Sequence, residues 1–549
     1  MKRLFAVLIA LSMMLSLSVT AFAVESEDIY DDSMPGIVIA PLDATQEEIE
    51  DLIAKDFEEY LAKLEQDAVT SAKAGMPYPD GVNVWLCGNY MTFTDAAPVL
   101  KDGRTQVPFR AILEGLGATV TYDNGNIEAA FADGSVMKLA IGSKVMTYEY
   151  DEDKLTSVHM DVAPYIDNTT GRTYVPVRFI GETLGLKVTW VHELSTAYIV
   201  DWDAVAADID SQFTNINAMM KASIKASNAQ LDAGKNFKSD DKITLGLTID
   251  GYSRNPMELT LDGTSITDGT NVSGTYEMDI DLGGYEKTLI EEGGEEVVKA
   301  IESFNGTEFD MIVSTEKGFY LRSPLLALAT SGIIPENGWL GVPVPEVQGA
   351  PDMNEQIMAL ARSEDFTIGK LIRLMCEDGQ MGAEMGYQPP EYAAYYLATI
   401  FSGVMGDELF TVKTRGSTTT YTLECDIYDL LGTMMPVEEI AIYAEEDIDF
   451  SFNMKATVKN DMIDYTEADM YLYLLDVMEM SMKVEGDMEE SIVDVDIEIP
   501  FTAKVMIDAE SQISETTQSP LTGPAEGELT VTIEELVNML LSQMIPGSN

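Results

Sequence analysis

Few side chains in this sequence can do chemistry at a site, and their counts exclude whole classes of reaction. There are two histidines, His159 and His192, so a metal site built on three imidazoles cannot be assembled. No Cys-x-x-Cys pair and no His-Glu-x-x-His occurs, and no Gly-rich phosphate loop follows a strand-like run. A Ser-His-Asp site would have to use one of the two histidines, and neither lies beside a nucleophile elbow. Carboxylates are abundant: with 94 acids, paired-acid hydrolysis has residues to draw on, but no spacing singles out a pair. Asp494, Asp496 and Glu498 alternate along one face of a strand-like run and do not match a calcium-loop spacing. Cys87, Cys376 and Cys425 allow at most one intrachain bridge. Cys376–Cys425 is the expected pair if a bridge forms, and three buried unpaired thiols is the competing expectation. No catalytic, cofactor-binding or metal-ligating residue is assigned.

Two arginine–glutamate pairs stand out by recurrence. Arg110 and Glu114, then Arg178 and Glu182, are each spaced i, i+4 and face one another on a helix. An anion site built from the arginines is one reading. An ion pair on a helix surface, or an arginine tying down the next turn, is preferred, because no further polar group recurs with the pair. The pairs belong to a longer repeat. Gly103-Arg104-Thr105-Gln106-Val107-Pro108 and Gly171-Arg172-Thr173-Tyr174-Val175-Pro176 are offset by 171 − 103 = 68 residues. Across 103–122 and 171–190, twelve of twenty positions are identical, which points to internal duplication.

The grammar of each copy is local. Gly103 and Gly171 sit in turns, and Pro108 and Pro176 suit a helix start. Phe109, Ile112, Leu113 and Leu116 fall on one helical face, as do Ile180 and Leu184 in the second copy. Gly117 and Gly185 suit the left-handed position just past a helix end. Strands are expected at Thr119 to Tyr122 and Lys187 to Trp190.

The pattern Gly-Arg-Thr-x-Val-Pro-x-Arg-x-Ile-x-Glu-x-Leu-Gly, followed by Val and an aromatic, resembles the copper amine oxidase N-terminal-like domain. That module is common in secreted proteins of Gram-positive bacteria. The resemblance covers roughly residues 82–202 and implies an α+β module of short helices on antiparallel strands, outside the cytoplasm. It does not imply amine oxidation, since the module is non-catalytic in the oxidases as well. Tyr148-Glu149-Tyr150 is similar to the core of the quinone-forming motif, yet two histidines cannot hold the copper that the chemistry needs. These tyrosines read as strand residues beside an acidic turn, Asp151-Glu152-Asp153.

The rest of the chain is read around this module. Lys2 and Arg3, the apolar run Leu4 to Val19 and Ala21-Phe22-Ala23 have the form of a signal peptide over 1–23, cleaved after Ala23. The expected location is extracellular, in contact with the cell wall or free, with no transmembrane segment in the mature chain. Residues 24–81 comprise an acidic linker and an amphipathic helix opened by Thr45 and Glu48. Residues 203–549 are expected to form a mainly antiparallel β domain with helical insertions. A helix from Asp203 to about Gly234 opens it, and a hinge lies near Asp201-Trp202-Asp203. Long alternating runs such as Lys242 to Asp250 put Ile243, Leu245, Leu247 and Ile249 on one face. Turns are expected at Asp262-Gly263, Asp268-Gly269 and Lys459-Asn460-Asp461, and Ile492 to Ile507 reads as one strand. A last helix is boxed by Thr532 and Glu535. The fold class is thus α+β: a small duplicated module followed by a large antiparallel sheet.

A formal charge of −61 repels nucleic acid and anionic lipid. The expected function is that of a secreted, non-catalytic protein of the cell envelope or matrix. The module serves for attachment or spacing, and a cell-wall polymer or an extracellular protein is the partner. A carrier of an apolar, lipid-like ligand in a curved sheet is the alternative, and a carboxylate-based hydrolase the second.

Overall fold

A computed structural model describes residues 63, 65–151, 154–343 except 233, 250, 252 and 331, 353–433, and 448–536 except 476, 488, 501, 526, 533 and 534. The signal-like segment 1–23, the Thr45 and Glu48 pair, most of the first amphipathic helix and the helix expected beyond Leu536 lie outside the described residues. The described chain divides into two compact units. One holds the residues up to Ser211 together with Thr367–Ala398; the other holds Gln212–Phe366 and the residues from Thr399 onward.

The first unit carries three sheets. Strands Lys187–Val191, Thr196–Val200, Asn83–Leu86 and Asn89–Tyr90 form the first, in that order, with Asn83–Leu86 parallel to Thr196–Val200. Tyr165–Ile166, Thr173–Pro176, Arg104–Pro108 and Val99–Lys101 form the second. A five-stranded meander from Thr119 to His159 forms the third. The helices Phe109–Gly115 and Val177–Thr183 bury Phe109, Ile112 and Leu113, and Val177 and Ile180, in a core shared with Val84, Ile127, Met137, Met146 and Ile199. The apolar stripe read from the sequence is the face that packs.

One expected boundary moves. The helix Trp202–Asp210 completes the first unit, because Trp202, Val205, Ala206 and Ile209 are buried there. It packs on the helix Ile368–Cys376, where Gly369 lets the backbones approach: a Cβ at Gly369 would lie 2.2 Å from the Ala206 carbonyl oxygen. The Gly369 N–H donates to Asp210 at 2.8 Å. The single helix expected from Asp203 to Gly234 is two helices, broken at Ser211–Phe213. The second, Thr214–Asp232, starts where the Asp407 carboxylate accepts from the Thr214 and Asn215 N–H groups at 3.0 and 2.8 Å. An acidic side chain distant in sequence satisfies the helix start.

The second unit is one sheet of fourteen strands among the described residues. Two antiparallel meanders build it. The first runs from Asn236–Ile249 to Trp339–Pro343, the second from Phe410–Arg415 to Ala503–Thr516. They join where Ala503–Thr516 pairs with Asn236–Ile249, from Ile249 against Ala503 to Asn236 against Thr516. Thr530–Thr532 adds at one edge, parallel to Trp339–Pro343.

Two expected turns are present. Gly269 has φ 89°, and Asn460 and Asp461 have φ 51° and 62°, the geometry a tight hairpin needs. Asp262-Gly263 is not a turn: the strand Met257–Thr267 runs through it. Gly263 lies directly opposite Tyr276, and a Cβ there would fall 2.6 Å from the Tyr276 Cα. Glycine is used here for close approach. Nor is Ile492 to Ile507 one strand. The chain reverses between Glu490–Ile499 and Ala503–Thr516, at Pro500, which has no N–H to give to a ladder. Thr532 and Glu535 make the expected box: the Glu535 carboxylate accepts from the Thr532 N–H at 2.9 Å, and Thr532 Oγ1 accepts from the Glu535 N–H at 3.2 Å.

Candidate functional site

The repeated residues come together as pairs of like parts. Gly103 and Gly171 turn with φ 68° and 67°, and Gly117 and Gly185 end the helices with φ 85° and 78°. Pro108 and Pro176 are one residue earlier than the sequence suggests. Each is the cap before its helix and the last residue of a strand, with φ −60° and −62°. Val107 and Val175, both fully buried, are direct partners in an antiparallel pair. Pro108 faces Tyr174 and Gln106 faces Pro176, so the two like segments pair antiparallel with the valines at the centre. The arginines cross over in the same sense. Arg104 of the first copy bridges Asp161 at 2.5 Å, and Arg172 of the second bridges Asp95. Each aspartate precedes the other copy.

Arg110 lies 3.2 Å from Glu114 and donates to the Val120 carbonyl at 2.9 Å, tying the helix to the strand after it. Arg178 stands 3.7 Å from Glu182. These pairs are about half exposed, where an ion pair contributes ~0.5 kcal/mol. The symmetry is imperfect at Gln106. Its buried side-chain amide has no hydrogen-bond partner, whereas Tyr174 at the matching position donates its hydroxyl to the Ala97 carbonyl at 2.8 Å.

One buried carboxylate carried no signal in the sequence. Glu391 is 7% exposed. It accepts hydrogen bonds from the Trp85 indole N–H and from the Gly88 N–H, and burial pushes its pKa up to about 6. Trp85 packs edge-on to Tyr90, and the Tyr90 and Tyr198 hydroxyls lie 3.2 Å apart. Burial raises both tyrosines and the nearby Cys87 thiol. The raised tyrosines and thiol stay neutral, whereas a thiol nucleophile needs the opposite shift, and Glu391 carries its charge above about pH 6. Burial likewise pushes Cys376 up to about 12 and raises Cys425. All three cysteines are free, but only Cys376 and Cys425 are buried; Cys87 is exposed at residue level, against the expectation of three buried thiols. The pairing of Cys376 with Cys425 rested on a shared domain, and the two fall in separate units.

The sheet unit offers the broadest candidate surface. Register alignment puts Leu423, Met454, Ala468, Val484, Val493, Ala509, Ile243, Leu261 and Met278 in one unbroken row of cross-strand partners. Two residues along, a parallel row passes through Met470, Met482, Val495, Ile507, Leu245 and Leu259. The opposite face carries Asp494, Asp508, Thr244 and Thr260, consistent with a sheet of one apolar and one polar side. The helix Thr214–Asp232 packs on strands Ile448–Lys459 and Met462–Leu474, and Phe452, Met454, Ala468 and Met470 are buried there. Over the middle strands the apolar rows are only half-buried, and Leu245 is exposed.

The rows end in a polar rim. Ser491, Ser511, Asp241 and Gly263 are successive partners across the sheet and line a depression of about 250 Å³. Asp241 accepts from Ser239, Ser265 and the Tyr276 hydroxyl at 2.5, 3.0 and 3.0 Å. Burial, then the Asp241 charge, push Tyr276 up to about 12.

No group of three metal-ligating side chains occurs among the described residues. None of the helices there is long and apolar enough to cross a membrane. Among solved structures, a lipovitellin titled for lipid–protein interactions aligns with 54% of this chain and 27% of its own, at 8% identity and TM-score 0.13. The chain thus spans about a quarter of that protein. An engineered protein titled for asymmetric conductivity aligns over 51% of this chain and all of its own, at 7% identity and TM-score 0.11. Scores at this level establish no common fold. No curated protein matches the chain. Residues 85–199, which hold both copies of the repeat, match the copper amine oxidase N-terminal domain family, so the chain carries that domain while the sheet unit stays without a family.

Proposed function

We infer that the chain is a non-catalytic binding protein, exported from the cell, whose sheet holds an apolar or lipid-like ligand along its apolar face. The observation that carries this is the pair of Val, Ile, Leu and Met rows left half-buried over the central strands. Burying such side chains beneath a ligand contributes about 25 cal/mol per Å². The polar rim at Asp241 and Ser511 suits a head group with hydroxyl or amine donors. The two-copy module is read as a fused repeat that serves for attachment or spacing, and its match to a domain without catalytic machinery supports this.

Organic extraction of protein purified under native conditions is expected to release an apolar molecule in near-stoichiometric amount, seen by mass spectrometry. Val495→Asp and Leu245→Asp are expected to abolish its retention. A well-folded protein that is empty, and that does not take up a fluorescent fatty acid, would sink the reading. A wall-associated role of the module is separable: it is lost if cell fractionation finds the protein only in the medium.

A further inference from the structure

The two copies of the repeat diverge at two helix positions whose second-copy side chains line a pocket. In the first copy the interval beside the helix is filled: a Cβ at Gly115 would meet Leu86 Cδ2 at 2.9 Å and Met91 Cε at 3.3 Å. At the matching position, 115 + 68 = 183, the second copy carries Thr183. At 111 + 68 = 179 it carries Phe179 where the first has Ala111. Phe179 and Thr183 share one helix face, and both line a pocket of about 490 Å³. Tyr148 and Tyr150 form its far wall, with rings inclined by 25° and centroids 5.9 Å apart. Tyr148 is held in place, because its hydroxyl donates to Ser135 Oγ at 3.1 Å and its ring meets Phe131 edge-on.

Glu182 supplies the one charge among the lining residues. Its counterpart Glu114 accepts a hydrogen bond from Arg110 at 3.2 Å, whereas Arg178 stands off from Glu182 at 3.7 Å, beyond hydrogen-bond reach. Two departures from the first copy therefore converge on one pocket, an added ring and an added hydroxyl, beside a carboxylate whose ion pair with Arg178 is the longer of the two.

We propose that this pocket binds a compact organic cation, an alkyl- or quaternary ammonium group, between the aromatic rings and the Glu182 carboxylate. Ring faces attract such cations, and the carboxylate adds a complementary charge. No lysine or arginine lines the pocket, and a chain of net charge −61 concentrates cations at its surface. The site lies in the module and is independent of the sheet's apolar face. A free amine and a lysine side chain on a peptide present the same chemistry.

The test is calorimetry on the full chain with choline, with its neutral isostere 3,3-dimethylbutan-1-ol, and with a lysine-bearing tetrapeptide and its acetylated form. Saturable binding of choline or of the unmodified peptide is expected, at least about tenfold tighter than the neutral partner of each. Whichever binds more tightly identifies the source. Tyr150 is 52% exposed, so Tyr150→Ala should leave the fold intact and abolish binding. Glu182→Gln should weaken it about fivefold, and Phe179→Ala, which restores the residue type of the first copy, should weaken it too. Equal affinity for a cation and its neutral isostere, no binding of either cation, or binding untouched by Tyr150→Ala and Glu182→Gln would overturn the proposal.

Discussion

Glu391 shows what a single buried acid does to this molecule. Its folded pKa of about 6 lies above the ordinary 4.5, so between those values the folded state binds the extra proton. Stability is therefore highest below the unfolded value and is lost as pH rises through the folded one. The loss is about 2 kcal/mol once both states are ionised. Glu391→Gln keeps a carbonyl to accept from Trp85 and Gly88 and carries no charge. The variant is expected to be more stable than the parent above pH 6 by up to about 2 kcal/mol, and no more stable at pH 4. Denaturant titration across that range checks it; a parallel offset at every pH would remove the electrostatic explanation. Nothing near Glu391 in sequence announced this. Its partners come from the hairpin Asn83–Tyr90, some 300 residues away, and the apolar neighbours that desolvate it are set by the tertiary fold.

Element by element, the sequence was most readable where local chemistry decides. Gly117 and Gly185 end their helices, Thr532 and Glu535 exchange the two hydrogen bonds of a capping box, and the alternation at Ile243 to Ile249 marks one sheet face. It was least readable where one residue type serves two ends. Gly263 and Gly269 both come directly after an aspartate, yet only Gly269 turns the chain. Gly263 is covered by the Tyr276 ring across the ladder, an aromatic placed over a strand glycine. Gly263→Ala is accordingly expected to cost about 2–4 kcal/mol and to lower the sheet's melting temperature, because the new methyl collides with backbone. Gly269→Ala should cost about 1 kcal/mol, from its φ of 89° alone. Equal costs at the two positions in thermal denaturation would contradict the distinction.

At the scale of the whole molecule, Thr367–Ala398 belongs with residues that precede Gln212. Composition gave no hint of it, since the helix Ile368–Cys376 is amphipathic like any insertion, and only its partner Trp202–Asp210 reveals where it docks. A fragment beginning at Asp203 would keep that helix pair but lose Trp202 and the three sheets of the unit to which the pair belongs. Replacing 367–398 by a short flexible linker in the full chain is expected to lower the module's melting transition and to increase hydrogen exchange in Trp202–Asp210. Protection across Asn236–Ile249 and Ala503–Thr516 should be unchanged. Unchanged exchange in Trp202–Asp210 would mean that the helical segment does not support the module.

The same interleaving sets a timetable. The last residue of the module's main stretch is Ser211 and the last of its returning segment is Ala398, so 398 − 211 = 187 residues separate them. Because the chain emerges from its N-terminus, the apolar side of Trp202–Asp210 stays uncovered until the helix that begins 368 − 210 = 158 residues later has followed. During that time the first meander of the sheet has already emerged, with its own apolar rows unpaired on one side. An emerging chain thus presents two unfinished surfaces at once, and its folding yield should depend on whatever holdase attends it during that interval.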